Sequence, residues 1–377
     1  MIYLDHNATT PVLPEVREAM LPFLTEEWGN PSSSYQFGSH LKSRIETARE
    51  QVAGLLGAKF SREILFTSGG TESNNTAIHA ALLSQPGKRR IITSQVEHSS
   101  VLSYCRFLEK HHGCRVTYLP VDRDGLLALA DLEKALTDDT AVVSLMWANN
   151  ETGVLFPVEK IAELCRSRSV LFHCDAVQAA GKIEINTQAI PFDYLSLTGH
   201  KLGAPKGIGA LYVNRKAPFV PFLHGGHQER SRRGGTENVA FLIGLGVAAE
   251  LARKKQPAYA ATVRPLRDAL EESLLTALPN TERNGHPAHR LANTSSLTFH
   301  GIESEALLLL LDQAGICASS GSACLADSPD PSHVIAAMKP GEAARQSIRF
   351  SLGTGIRAKE IGQAVTELAK LARSLAG

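Results

Sequence analysis

Between about residues 60 and 215, short runs of β-branched and aromatic residues alternate with longer segments whose apolar residues recur every three or four positions. The short runs, at 64–67, 90–93, 116–119, 141–146, 170–173 and 210–213, have the length and composition of strands. The segments at 38–56, 72–84, 99–112, 127–136 and 158–168 carry a stripe with the helical period. Such alternation predicts an α/β domain with a largely parallel sheet, because parallel neighbours need a crossover and a helix commonly supplies it. A Gly- and Arg-rich stretch at 224–238 then precedes a long helical pattern at about 239–278, a mixed strand and helix region, and an amphipathic helix at 359–376. That stretch marks a domain boundary to within tens of residues. The pattern contains no internal repeat, low-complexity tract or heptad run.

Length agrees with this division, since a chain of 377 residues exceeds the size at which one hydrophobic core keeps growing. Thirty-nine basic against 38 acidic residues leave a formal charge of +1, which gives no global electrostatic case for nucleic acid or an anionic membrane. Arg230, Arg232 and Arg233 form a local basic cluster, but their glycine-rich flanks suit an ordered loop. The six cysteines, at 105, 114, 165, 174, 317 and 324, show no Cys-x-x-Cys pair and no zinc-ligand spacing, so free thiols in a reducing cytosol are expected. Asp5 and His6 stand where a signal peptide would have its charged and apolar regions. The longest apolar stretch, 306–311, is too short to span a bilayer, so the expectation is a soluble, cytoplasmic protein.

Several motifs fall where an α/β sheet presents its ligands. Ser68-Gly69-Gly70-Thr71-Glu72 follows a predicted strand and opens a predicted helix, so its free N–H groups suit a phosphate; a plain glycine turn with a threonine cap reads as well. It lacks the Walker lysine, and Gly207-Ile208-Gly209 precedes a strand where a dinucleotide fingerprint follows one. Asp175 and Gln178 lie just past another strand, where a carboxylate can keep a pyridinium nitrogen protonated and an amide can bond the ring hydroxyl; an Asp N-cap fits equally. Lys201, among Gly199, Leu202, Gly203 and Pro205, is a candidate Schiff-base amine, with Thr198 and His200 beside it. His98 in Glu97-His98-Ser99-Ser100 suits either ring stacking with proton exchange or a bare helix start, and Asn150 lies in an Asn-rich turn. Arg349, flanked by apolar strand residues, needs an anionic partner: a substrate α-carboxylate or a structural ion pair. Cys324 sits in Ser319-Ser320-Gly321-Ser322-Ala323-Cys324, whose small side chains leave a nucleophilic thiol accessible.

Together these motifs resemble the NifS-like cysteine desulfurases of the class-V aminotransferase superfamily, nearly end to end. The resemblance is carried by Tyr3-Leu4-Asp5-His6-Asn7-Ala8-Thr9-Thr10, by Gly29-Asn30-Pro31-Ser32-Ser33, and by residues 67–75, 97–101, 149–153, 175–178, 198–212, 228–238 and 319–324. It implies a pyridoxal-phosphate fold of type I: a large domain at 15–250 with a mostly parallel sheet, and a smaller α+β domain from 1–14 and 251–377 that carries the cysteine loop. It implies Lys201 as the Schiff-base lysine, His98 as the stacking base, and Asp175, Gln178 and Asn150 on the ring. Gly70, Thr71, Thr198 and His200 would hold the phosphate, Gly199 would also contact the cofactor, and Asn30 and Arg349 would bind the substrate. It further implies a homodimer in which Thr236 reaches the neighbour's phosphate.

On the same resemblance, Cys324 attacks the sulfur of L-cysteine, leaving a persulfide and alanine, while Lys201 carries protons and His98 tends the substrate thiol. The Asp-, Ser- and Pro-rich run 325–332 reads as a mobile loop that carries Cys324 to a sulfur-acceptor or scaffold protein of iron–sulfur assembly, with the 227–238 stretch resembling the nitrogenase branch. The Ser-Ser-Gly-Ser-Ala-Cys form matches the long-loop branch, and Cys324 is a candidate transient iron–sulfur ligand. Tyr35 replaces a histidine common in relatives, and Cys317 has no assigned role. Two alternatives remain open: a selenocysteine or C–S lyase on the same scaffold, and a catalytically inactive binding subunit.

Overall fold

The computed structural model describes residues 1–321 and 331–376. Strand β1 (Ile2–Tyr3) opens the chain, and β2 (Ile64–Thr67), β3 (Arg90–Ser94), β4 (Arg115–Leu119), β5 (Thr140–Met146), β6 (Leu171–Asp175), β7 (Tyr194–Thr198) and β8 (Gly209–Val213) build a seven-stranded sheet. Its order is β2-β8-β7-β6-β5-β3-β4, with β8 antiparallel to both neighbours and every other pair parallel.

Successive strand residues point to opposite faces, and the sheet is covered on both. Leu65, Ile91, Val142 and Leu211 pack against the helices Gly70–Leu83 and Ser99–His112. Their neighbours Phe66, Ile92, Val143 and Tyr212 pack with the helices Leu41–Leu55 and Val158–Ser167 in a second cluster. Burial on both faces explains why these strands read as continuous apolar runs.

Six of the seven strands lie within two residues of their predicted positions. Strand β7 was not expected. All five of its residues are buried, yet Ser196 and Thr198 break the apolar run. Ser196 is accommodated because its hydroxyl meets His173 Nε2 at 2.9 Å, while His173 Nδ1 meets Ser144 Oγ at 2.8 Å, which ties β5, β6 and β7 together. Burial drives the His173 ring down to about 3, so it serves these bonds as a neutral imidazole.

The helix Val239–Ala277 spans 39 residues and joins two cores. Leu242, Leu245 and Ala249 enter the cluster beneath the large sheet, whereas Val263, Leu270 and Leu274 enter one with Leu4, Leu297, Phe299, Ile348 and Phe350. The second core lies on an antiparallel sheet of β9 (Thr281–Asn284), β10 (Thr294–Phe299) and β12 (Ser347–Ser351), in the order β12-β10-β9. Strand β11 (Ile316–Cys317) pairs in parallel with β1, and Asp5 bridges to Ser351, so the N-terminal segment is stitched to the C-terminal part of the fold. No described helix is long and apolar enough to cross a membrane.

Candidate active site

The carboxyl ends of β2, β5, β6 and β7 converge on a cavity of about 200 Å³. Each strand contributes through the turn or helix start just beyond its last residue. After β2, Gly69 caps the helix Gly70–Leu83, and Gly70 and Thr71 line the cavity with the free N–H groups of its first turn. A Cβ on Gly209 of β8 would stand 2.7 Å from Gly69 Cα, so glycine there lets the turn lie down on the sheet edge. Glu72 closes the turn by accepting from Ser68 N at 2.8 Å and pairing with Arg233 at 2.9 Å.

Asp175 ends β6 and is 6 % exposed; its Oδ2 accepts from Asn74 Nδ2 at 2.7 Å and its Oδ1 from Val177 N at 2.9 Å. The carboxylate therefore both shapes a turn and faces the cavity. Asn74 spends its other N–H on Ser100 Oγ at 2.9 Å, which leaves its buried Oδ1 without a partner among the described residues. His98 caps the helix Ser99–His112: its Nδ1 accepts from Ser100 N at 3.1 Å, so the neutral ring carries its proton on Nε2. Burial lowers its proton affinity, with Asp175 opposing and Lys201 and His333 assisting.

Lys201 occupies the 3-10 turn Gly199–Lys201 that follows β7, and its Nζ donates to Asn7 O and, at 2.6 Å, to Ala8 O. His200 faces the cavity too, and burial followed by the charges of Lys201, Lys206 and His98 brings it down to about 4. Thr198, Gln178 and Asn150 line it as well. Arg349 also lines the cavity, at 2 % exposure, donating to Asp5 Oδ1 at 2.6 Å, Gly321 O at 2.6 Å and Asn150 O at 3.0 Å.

Most of the expected site residues thus share one cavity. Gly199 does not line it; a Cβ there would lie 2.8 Å from Ile208 Cγ2, so its smallness serves packing beneath the turn. Thr236 lies in an adjoining concavity with Ser68, Gly207 and Arg233. Asn30 is exposed, and its Oδ1 accepts from Ser32 N at 2.9 Å. Cys324, with its expected roles as nucleophile and cluster ligand, lies outside the described residues. Asn7, Asn74 and Ser100 also line the cavity, and all three fall inside motifs that carry the resemblance. Among the described residues, no group of three or more His, Cys, Asp and Glu side chains is placed to hold a metal ion.

The cavity suits pyridoxal phosphate. It offers an amine at Lys201, a carboxylate at Asp175, the buried acceptor at Asn74 and a helix N-terminus at Gly70. A Cβ at Gly70 would come within 3.0 Å of Val177 Cγ2, so a side chain there would crowd this cradle.

Comparison with known proteins agrees. Residues 2–363 match the aminotransferase class-V family. The chain is 56% identical to cysteine desulfurase 2 of Trichormus variabilis over 359 residues, 93% of this chain and 88% of that protein. It is 50% identical to the cysteine desulfurase NifS of Azotobacter vinelandii over 375 residues, 99% and 93% of the two chains. A solved NifS-like protein superposes with a TM-score of 0.92 at 35% identity, covering 99% of each chain. The chain belongs to the pyridoxal-phosphate-dependent aminotransferase class-V family, within its NifS-like cysteine desulfurase group.

Proposed function

We propose that this protein is an L-cysteine desulfurase that moves the sulfur of L-cysteine onto Cys324 and releases L-alanine. The observation that carries the reading is the convergence of Lys201, Asp175, His98 and Arg349, from four separate parts of the chain, on one cavity in a member of this family. Bound pyridoxal phosphate supplies an aldehyde that takes up amines and a ring that accommodates the electron pair left when a substrate proton departs.

The chain's own groups do the rest. Thr71, Thr198 and His200, with the N-terminus of the helix Gly70–Leu83, hold the phosphate; His200, kept neutral, contributes a hydrogen bond. Asp175 keeps a proton on the ring nitrogen, and Asn74 and Val177 hold its carboxylate still for that task. Arg349 takes the substrate carboxylate. Lys201 would take the proton from the substrate's Cα and return one on the way to alanine. His98, neutral with its proton on Nε2, hydrogen-bonds the substrate thiol. The Cys324 thiolate attacks that sulfur, the carbon–sulfur bond breaks, and the persulfide stays on the enzyme until an acceptor thiol removes it.

Two expected site residues point to a homodimer. Thr236 and Asn30 lie off the cavity, and Trp28, Tyr35 and Phe37, close to Asn30 in sequence, are exposed at 68%, 58% and 42%. A partner subunit would cover such a surface and bring residues of this kind to a neighbour's site. Cys105, Cys114, Cys165 and Cys174 are buried and unpaired, which suits a reducing, cytoplasmic setting. Delivery of sulfur to iron–sulfur assembly, including that of nitrogen fixation, fits the resemblance to NifS proteins. The test is stoichiometric alanine and sulfide release from L-cysteine with a thiol reductant, lost in Cys324→Ala.

A further inference from the structure

Lys182 is a buried ammonium with no evident reason to be there. It is 8 % exposed, and the charges that act most on it are those of Lys201 and Arg349, both positive. Burial, reinforced by these two cations, brings its proton affinity down to about 7. A cation held so far from water needs compensation, and the compensation is two side-chain oxygens: Lys182 Nζ donates to Gln178 Oε1 at 2.8 Å and to Asn7 Oδ1 at 3.2 Å.

Both acceptors belong to amides in the cavity wall, and an amide has a donor end and an acceptor end that exchange when it flips. In its ammonium form Lys182 has only donors. Together with the carbonyls of Asn7 and Asn150, which take the two amide nitrogens, it therefore fixes the orientation of each. With Gln178 Oε1 held by the ammonium, Nε2 sits on the other side; one of its N–H groups goes to Asn7 O at 3.0 Å and the second is left for the cavity. With Asn7 Oδ1 engaged by Lys182 and by Asn293 Nδ2 at 3.0 Å, Asn7 Nδ2 turns to Asn150 O at 3.1 Å and Thr294 Oγ1 at 2.9 Å. Asn7 O, the oxygen that takes Gln178, also accepts from Lys201 Nζ. The lysine thus governs one connected network reaching Gln178, Asn150 and Lys201.

We propose that Lys182 is a positioning residue of the active site: by occupying the oxygens of Gln178 and Asn7 it makes Gln178 present a hydrogen-bond donor, never an acceptor, to the ring oxyanion of the cofactor. The inference rests on reading the cavity as a pyridoxal phosphate site. A donor there stabilises the oxyanion and weakens the bound cofactor's hold on its neighbouring proton. Without the ammonium, Asn7 O is left to hold the amide, and a flipped amide would offer an oxygen to the oxyanion, so that proton would be held more tightly.

The experiment is a pH titration of the visible absorbance of the pyridoxal-phosphate-loaded protein, read beside its melting temperature. Lys182→Met moves the midpoint upward by about one pH unit, Gln178→Leu moves it by a similar amount, and the double variant moves it no further, because one acts through the other. Lys182→Arg, which keeps the donors, returns the midpoint close to that of the wild type. If Lys182→Met does not fold, Lys182→Gln, too short to span both acceptors, takes its place with the same sign of shift. A melting temperature that falls while the midpoint stays, or shifts that add in the double variant, would overturn the proposal. The underlying reading is checked separately: wild-type protein takes up pyridoxal phosphate with a visible band that Lys201→Ala lacks.

Discussion

Asp5 Oδ1 lies 2.6 Å from Arg349 Nη2 at the wall of the cavity, where the arginine is 2 % exposed. The pair joins the N-terminal arm to β12, and the same guanidinium donates through Nη1 to the carbonyls of Gly321 and Asn150. Among the described residues its Nε is buried without a partner. Arg349 is therefore both anchored and incomplete, as a carboxylate receptor needs to be, since an anchored fork loses little freedom when substrate arrives.

Replacing Arg349 by lysine removes that fork while keeping the charge. KM for L-cysteine is expected to rise about 10- to 100-fold, the equivalent of about 1.5–3 kcal/mol for a hydrogen bond to a charged group, with a smaller change in kcat. Steady-state kinetics separate the two; an unchanged KM would leave Arg349 with only its structural pairing to Asp5.

Asp175→Asn keeps the shape of the turn but removes the charge that holds a proton on the cofactor ring. Turnover is expected to fall by about 10²- to 10⁴-fold. The fold should survive, because the substituted side chain still offers an oxygen to Val177 N or Asn74 Nδ2, the two donors now bound. Circular dichroism and alanine release, measured together, check both halves.

Glu97 sets a pH dependence of stability. Burial raises its carboxyl to about 8, with Asp175 adding to the rise and bonds from Met146 N and Ser94 Oγ opposing it. The folded state then binds the proton more tightly than the unfolded state, whose value is near 4.5. Glu97's contribution is complete below about 4.5 and is lost as the pH climbs through 8. Glu97→Gln, which cannot ionise, should melt higher than wild type at pH 8, by a few degrees, and lose that advantage near pH 5. Melting curves across this range decide it.

Glu229 grips Arg49 with both oxygens, at 2.7 and 2.8 Å, and accepts from Phe66 N at 3.1 Å. This bond holds down a loop in which Glu229, Arg230 and Ser231 all have positive φ, a costly conformation for residues with a Cβ. Glu229→Ala removes the two-oxygen partner of a buried guanidinium, leaving it a longer pairing with Glu46 at 3.2 Å, and should cost about 3–5 kcal/mol. Denaturant titration reads the loss directly.

Legibility in the sequence followed the physics of each residue. Runs such as 141–146 announced their strand because both faces are buried, whereas Tyr194–Thr198 hid behind two hydroxyls that only the His173 contact makes tolerable. Lys201, His98, Asp175 and Arg349 were legible because each stands at a strand end or inside an apolar strand with a bland alternative that could be named. Asn7 and Lys182 were not. A lysine after glycine reads as a solvated charge, and an amide's orientation depends on partners that folding brings from distant segments: Lys182 meets Asn7 across 175 positions. Asn30 and Thr236 illustrate the opposite limit: both fall inside recognisable motifs, yet neither lines the cavity.

The central claim is tested most directly by incubating purified, pyridoxal-phosphate-loaded protein with L-cysteine and a thiol reductant, then quantifying alanine and sulfide for wild type, Lys201→Ala and Cys324→Ala. The account predicts equal amounts of alanine and sulfide from wild type and neither from the two variants. Sulfide release that survives Cys324→Ala would contradict transfer through a persulfide and favour a lyase, and a wild-type protein that releases neither product would contradict desulfurase activity itself.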